Sequence, residues 1–259
     1  MSAELLLTPT AGPFGLAPFS VLRRPAAVPG DVDLDGVVRA FASEELDPTL
    51  FLSQCEPTAA FSRRDVLLPG YPAAVETARA HGFVPVVRPV GGHLAAYDEG
   101  SLVLHLWAPH WEPRLGIEQR FRQVGHALVA GLTELGVPEA RVGPVQGEYC
   151  DGAWSVNLGG RVKVAGTGQR VNRHRFLLCA VLTVTAPTRI REVLTRTYAD
   201  LGLAFDPATV GCLSDWVPGV CATDVRDVVG AALCRILPSA LTSQSSEAVD
   251  RPRLAMSLV

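Results

Sequence analysis

At 259 residues, 48% hydrophobic and 19% charged, the chain holds enough apolar material for one large domain or two small ones. A net charge of −3 argues against a protein built throughout to bind nucleic acid, while leaving room for a local basic surface. No run approaches the ~18 uninterrupted apolar residues of a membrane span, and the opening MSAELLL has Glu4 where a secretory leader is basic.

Residues 1–30 are rich in Pro and Gly with little periodicity and are expected to form a loosely packed arm. A helix is expected near 34–43, a strand over 49–54 and a connection over 63–70. Pro72 suits a first helical turn and Gly82 a position just past a helix end, which predicts a helix over 71–81. Residues 84–88 read as a buried strand leading into Pro89-Val90-Gly91-Gly92-His93. Strands over 94–97 and 101–107 read as a hairpin around Asp98-Glu99-Gly100. In the second of these, Leu102, Leu104 and Leu106 share one face and Val103, His105 and Trp107 the other.

The strongest helical pattern runs over about 114–135, where Ile117, Phe121, Val124, Leu128, Leu132 and Leu135 recur at spacings of three and four. Strands over 154–158 and 161–165 form a hairpin around Gly159-Gly160, and 176–185 is a nearly all-apolar strand. Helices are expected over 188–202 and 223–237, with Thr188 and Thr223 as caps. After Pro238 the chain turns polar and Ser-rich, so 239–259 reads as a disordered tail and 31–238 as a single domain. Hairpin-linked strands outnumbering helices indicate an α+β class with a mixed, mostly antiparallel sheet.

The chemistry-bearing residues gather in 147–170. Of the 23 Lys and Arg residues, the only lysine is Lys163. An ammonium is a compact charge that can give up its proton when desolvated, which a guanidinium cannot, so one lysine kept in an arginine-rich chain marks a site needing that property. It stands thirteen positions after Cys150. That cysteine lies in the polar turn Gly147-Glu148-Tyr149-Cys150-Asp151-Gly152, unlike Cys179 and Cys234, which sit in apolar segments. A nearby cation would favour its thiolate, while Asp151 acts against it. An inert surface thiol and a chance lysine fit the same residues.

On a strand over 161–165, Val162 and Val164 point one way and Arg161, Lys163 and Ala165 the other. Gly166-Thr167-Gly168 follows as a glycine-rich turn whose amides suit an oxyanion or carboxylate. Paired glycines at 91 and 92 let a ligand approach the backbone. They are no dinucleotide fingerprint, and the chain has no phosphate loop. His93 and His105 are possible acid/base groups, though satisfied histidines are common.

The six cysteines (55, 150, 179, 212, 221, 234) include no C-x-x-C pair, so a metal site is not expected and a reducing, cytoplasmic setting is. Residues 152–191 hold no carboxylate but contain Arg161, Lys163, Arg170, Arg173, Arg175, Arg189 and Arg191. Such a stretch suits an acidic partner protein or the phosphate of an acyl carrier, and equally a charged sheet edge kept from aggregating.

Taken together, three blocks resemble the lipoate–protein ligase, octanoyltransferase and biotin ligase superfamily over about residues 50–211. Arg88-x-x-Gly91-Gly92 with Asp98-x-Gly100-x-Leu102 is similar to the family's arginine–double-glycine block. Gly147-x-Tyr149-Cys150-x-Gly152 resembles the cysteine block of its thiol-dependent acyltransferase branch, and Lys163-Val-Ala165-Gly166-Thr-Gly-Gln169-Arg170 its lysine block. The resemblance implies a central mixed sheet flanked by helices and an acyl pocket lined by Arg88, Gly91, Gly92, His93, Gly166, Thr167 and Gly168. It implies Cys150 as nucleophile and Lys163 as the group that holds the acyl carbonyl and favours the thiolate.

The activity so implied is transfer of an octanoyl or lipoyl group from a carrier-protein thioester, through a Cys150 thioester, to the lysine of a lipoyl domain. Acyl carrier protein or the glycine-cleavage H protein would be the donor. No cofactor is then required, and neither nucleic acid nor membrane is a partner. Burying a tail of about seven methylenes would contribute at most on the order of 5 kcal/mol at ~0.8 per CH₂. Two other readings stand: an ATP-dependent lipoate or biotin ligase, and a non-catalytic module binding lipoyl domains or acyl carriers. Pro89 after a single arginine and Asp151 after the cysteine depart from the family pattern.

Overall fold

The computed structural model describes residues 20–23, 49–110 and 113–242. The helix expected near 34–43 and the tail beyond 242 lie outside the described residues.

Among the described residues, ten strands divide between two sheets. The larger runs β1 (Ser20–Arg23), β2 (Thr49–Ser53), β6 (Ser101–Pro109), β10 (Arg175–Thr183), β9 (Val162–Val171), β8 (Val156–Leu158) and β7 (Ala140–Val142), in that spatial order. All its pairings are antiparallel except β1 with β2. The smaller is β4 (Val84–Val87), β3 (Thr58–Phe61) and β5 (Ala95–Tyr97), with β3 central. This is the expected α+β arrangement. Ser20–Arg23 lies in the stretch expected to be a loose arm and forms the parallel edge strand beside β2.

Helices α1 (Tyr71–Ala80), α2 (Ile117–Glu134), α3 (Pro187–Leu201) and α4 (Ala222–Thr242) complete four layers. Alternation along the strands explains the stacking. Leu50, Leu52, Leu102, Leu104, Leu106, Leu178, Ala180 and Leu182 face α2 and α4, meeting Val124, Leu128, Leu132, Val225 and Val229 in one buried cluster. The intervening residues face the small sheet and its loop: Val103 packs with Ala60 and Tyr97, and Trp107 and Leu177 with Val90. On the outer side of the small sheet, Ala59 and Phe61 pack on α1 and α3 through Ala74, Ala78, Ile190, Val193 and Leu194. Gly70 allows α1 to reach α3, since a Cβ there would stand 1.7 Å from the Asp200 carbonyl oxygen.

Several sequence expectations are corrected. Residues 84–87 form an edge strand with Val84 and Val87 exposed, because among the described residues β4 pairs only with β3. The turn at 98–100 exists, closed by the Asp98 carboxylate accepting from the Gly100 amide at 2.9 Å, but it carries the chain from one sheet to the other instead of closing a hairpin. Thr188 and Thr223 do not cap: Ala186, at φ 48°, precedes Pro187 in α3, and in α4 the Asp224 carboxylate accepts the Cys221 amide. Helix α4 also continues past Pro238 to Thr242. Arg120, off the apolar stripe, is nevertheless buried, its guanidinium 4.5 Å above the Phe176 ring and its Nε donating to Gln169 at 2.6 Å.

Candidate active site

Strand β9 sets the floor of the site. Opposite β8 its register shifts, Lys163 pairing with Asn157 and Ala165 with Val156, so that Val164 is an extra residue. The bulge sends Val162, Val164 and Ala165 all to the helix-covered core, where strict alternation placed Ala165 with Lys163. It leaves Lys163 on the other face with Gly166, whose added Cβ would lie 3.3 Å from Lys163 Cε. Residues 166–168 are strand laddered to β10, not a turn, so their amides belong to the sheet rather than to an anion-binding nest. Thr167 donates its hydroxyl to the Trp154 carbonyl at 3.0 Å and pairs across from core Ala180, so it points away from Gly166 and Gly168.

Lys163 is 2% exposed. Its ammonium donates to the carbonyls of Tyr149 and Cys150, each at 2.9 Å, and lies 3.5 Å from the Glu148 carboxylate and 4.5 Å above the Tyr149 ring. Burial holds its pKa below the ordinary lysine value, opposed by the charges of Cys150 and Glu148. Glu148 is itself buried and also accepts from the Ser155 hydroxyl at 2.6 Å and the amides of Gly152 and Val145. A buried ion pair survives only when its remaining valences are met in this way.

These contacts hold a strained turn. Cys150 has φ 44°, left-handed for a residue with a Cβ, at a cost of about 1–2 kcal/mol. Its amide donates to the Tyr198 hydroxyl at 2.8 Å, and that hydroxyl donates to the Leu94 carbonyl at 2.8 Å. With its carbonyl taken by Lys163, both backbone groups of Cys150 are fixed by buried side chains from other elements. The sulfur is thereby aimed at the end of β4, where it accepts from Arg88 Nη2 at 3.3 Å and from the His93 amide at 3.2 Å. Arg88 also donates to the His93 carbonyl, tying the loop into a ring around the sulfur. Burial acts to lower the Arg88 pKa, but the adjoining Cys150 outweighs it and raises the pKa above the ordinary value.

Gly92 explains the close approach: at φ 97°, its Cβ would stand 2.6 Å from Cys150 Sγ and 2.8 Å from Arg88 Nη2. Gly91 is exposed and a Cβ there meets nothing within 4 Å. The loop lies on β9, since a Cβ at Gly168 would meet Val90 at 2.9 Å and the Gly91 carbonyl at 3.6 Å. The structure therefore gathers Cys150, Lys163, Arg88, Gly92 and His93 at one point, with Gly91, Gly166 and Gly168 beside them. Asp151 is exposed.

Sequence reading missed Asp65, Glu148 and Tyr198. Glu148 shares a turn with the cysteine, and the single lysine could have prompted a search for its counter-ion. Asp65 and Tyr198 stand far from these blocks in sequence and carry no local signal. His105 lies on the same sheet face, buried, with Nδ1 unpartnered among the described residues. Burial lowers its pKa to about 4, so it is a neutral ring stacked 6.3 Å from Phe51. Nor do the cations of 152–191 form one surface: Arg175 is buried, and Arg191 is spent on the carbonyls of Pro207 and Val210. Among the described residues no His, Cys, Asp and Glu cluster is placed to hold a metal, and no helix is long and apolar enough to cross a membrane.

A sheet of this topology, with a cysteine and a lysine converging on one face, defines a class. The fold is that of the lipoate–protein ligases: a crystal structure of lipoate-protein ligase A bound with ATP superposes with a TM-score of 0.61 at 17% identity, covering 84% of each chain. The family model for the lipoyl protein ligase A/B catalytic domain matches residues 35–234, and the chain belongs to that family. Among curated relatives, an octanoyl-[GcvH]:protein N-octanoyltransferase of Geobacillus kaustophilus is 28% identical over 199 residues, 77% of this chain and 69% of that protein. The protein of the same name from Kyrpidia tusciae is 33% identical over 123 residues, 47% of this chain and 41% of that one.

Proposed function

We infer that the protein is an octanoyl or lipoyl transferase that takes the acyl group from an octanoylated carrier onto Cys150 and delivers it to the lysine of a lipoyl domain. The observation that carries this is the Cys150 sulfur, presented by a strained turn to the Arg88 guanidinium and the His93 amide. Donors aimed at sulfur stabilise it as attacking and as departing thiolate. The names of the curated relatives, which couple octanoyl to GcvH, support the choice of acyl group and of GcvH as a partner.

Lys163 then serves the reaction in two ways. It holds the carbonyls that set the turn, and its buried charge lies close enough to act on Cys150. The acyl tail would lie against the apolar cluster of Val90, Phe51 and Cys179. A thioester on Cys150 keeps the acyl group activated, and its aminolysis to an amide is downhill, so no ATP is needed. All six cysteines are free, consistent with a reducing cytoplasm.

Incubation with octanoyl-GcvH or octanoyl-acyl carrier protein, without ATP, tests this by intact mass. An octanoyl adduct that hydroxylamine removes is expected on the wild type and absent from Cys150→Ser. Acyl transfer that requires ATP and survives Cys150→Ser would instead identify a ligase. Partner binding with no adduct would identify a non-catalytic module.

A further inference from the structure

The aminolysis half of the reaction needs a proton acceptor, and the groups around the sulfur narrow the choice. A guanidinium such as Arg88 does not deprotonate. The Lys163 nitrogen is committed to two carbonyls and a carboxylate, the contacts that hold the cysteine's turn. Tyr149 and Tyr198 are driven upward by burial and stay protonated. Asp151 is exposed to solvent.

His93 remains. It is the residue whose amide touches the sulfur, so its side chain springs from a backbone already in contact with the reacting atom. Nδ1 is 2.7 Å from Oδ1 of Asp65, a carboxylate with no exposed surface. The other oxygen, Oδ2, accepts the Ser62 amide at 2.7 Å, and among the described residues no Lys or Arg pairs with Asp65. A carboxylate on Nδ1 fixes the proton there and leaves Nε2 as the acceptor. Among the described residues Nε2 has no hydrogen-bond partner, and the side chain is 21% exposed.

We propose that His93, oriented by Asp65, is the general base for transfer of the acyl group from Cys150 to the acceptor lysine, a role that rests on the acyltransferase reading above. The neutral amine attacks the thioester carbon; the C–N bond forms and the C–S bond breaks. The electron pair leaves with sulfur, and the thiolate is received by Arg88 and the His93 amide. The proton lost by the attacking nitrogen goes to Nε2 and from there to solvent. Asp65 is a positioning residue that holds the tautomer.

The test separates the two half-reactions by intact mass, with an octanoylated carrier followed by a lipoyl domain. His93→Gln keeps the backbone amide and a donor toward Asp65 but has no base. It is expected to form the octanoyl-enzyme at close to the wild-type rate and to discharge it 10²-fold or more slowly, in the range general bases contribute, so the adduct accumulates. Added imidazole should restore part of the discharge in His93→Ala. Asp65→Asn should slow the same half-reaction, and Asp151→Asn should slow neither. Discharge by His93→Gln at the wild-type rate, equal losses in both half-reactions, or slowing by Asp151→Asn instead would overturn the proposal. If the wild type forms no adduct, it is the transferase reading that fails.

Discussion

The two faces of the seven-stranded sheet share strands and differ in almost everything else. Toward α2 and α4 the side chains are mostly Leu, Val, Ala and Phe, buried and in mutual contact. Toward the small sheet, the same strands present Lys163, His105, Ser53 and glycines, with buried polar atoms at Ser53 and His105 that have no partner among the described residues. The first face is where burial provides stability. The second carries a buried ion pair, a left-handed cysteine and a neutral histidine, all of which cost stability and are kept for what they hold in place. One strand can serve both because successive side chains point oppositely, and the bulge at Val164 sharpens the division by sending two adjacent residues to the core.

The largest effect should come from breaking the polar face at its centre. Lys163→Ala leaves Glu148 buried without its cation and should cost about 3–5 kcal/mol, together with the Cys150 adduct. Leu104→Ala, on the other face, should cost about 2–5 kcal/mol while its folded fraction still acylates. Urea melts and adduct mass measured on both variants check the contrast, which collapses if Leu104→Ala loses acylation or Lys163→Ala keeps it.

A smaller change in stability with a large change in chemistry is expected of Gly92→Ala. The new Cβ would sit 2.6 Å from the sulfur at a positive φ, costing about 1–3 kcal/mol. Displacing Cys150 Sγ from Arg88 should slow acylation far more than the melt suggests. Initial rates of adduct formation decide it, and a wild-type rate would show that the close approach is dispensable.

The smallest effect depends on pH. His105 has a native pKa of about 4 against 6.5 ordinarily, because burial excludes its charged form. Between those values the unfolded chain binds a proton that the native protein does not, so stability falls as pH drops from 6.5 toward 4 and is unaffected above 6.5. His105→Phe should remove that part of the slope. Urea midpoints at neutral pH and in the lower part of this window measure it, and an unchanged difference between the two would place the acid sensitivity elsewhere.

Much of this was legible in the chain. The Leu102, Leu104 and Leu106 face of β6 was read directly from alternation, as was the stripe of α2 from its spacing; both pack in the core, except that Ile117 at the start of the stripe lies outside the cluster. The hairpin around Gly159 and Gly160 followed from a turn that needs positive φ at both positions, which both adopt. Strands β1, β3 and β7 were not legible: each is three or four residues long, too short for a period to register without a glycine turn beside it of the kind that marked β5 and β8. The exposure of β4 also escaped, since an apolar run is the same in an edge strand as in a central one.

The sequence by itself determined the components: a single lysine in an arginine-rich chain, a cysteine between glycines, a double glycine after a strand, and the apolar periodicity that forms the sheet and its helices. Only the tertiary structure decided that the lysine grips the cysteine's turn by its carbonyls, that Arg88 and the His93 amide meet at the sulfur, and that Asp65 stands behind His93. Hydrophobic periodicity is local and repeats within a strand or a helical turn. A hydrogen bond between residues 62 positions apart, such as Arg88 to Cys150, leaves no trace in either neighbourhood until the sheet has brought the two together.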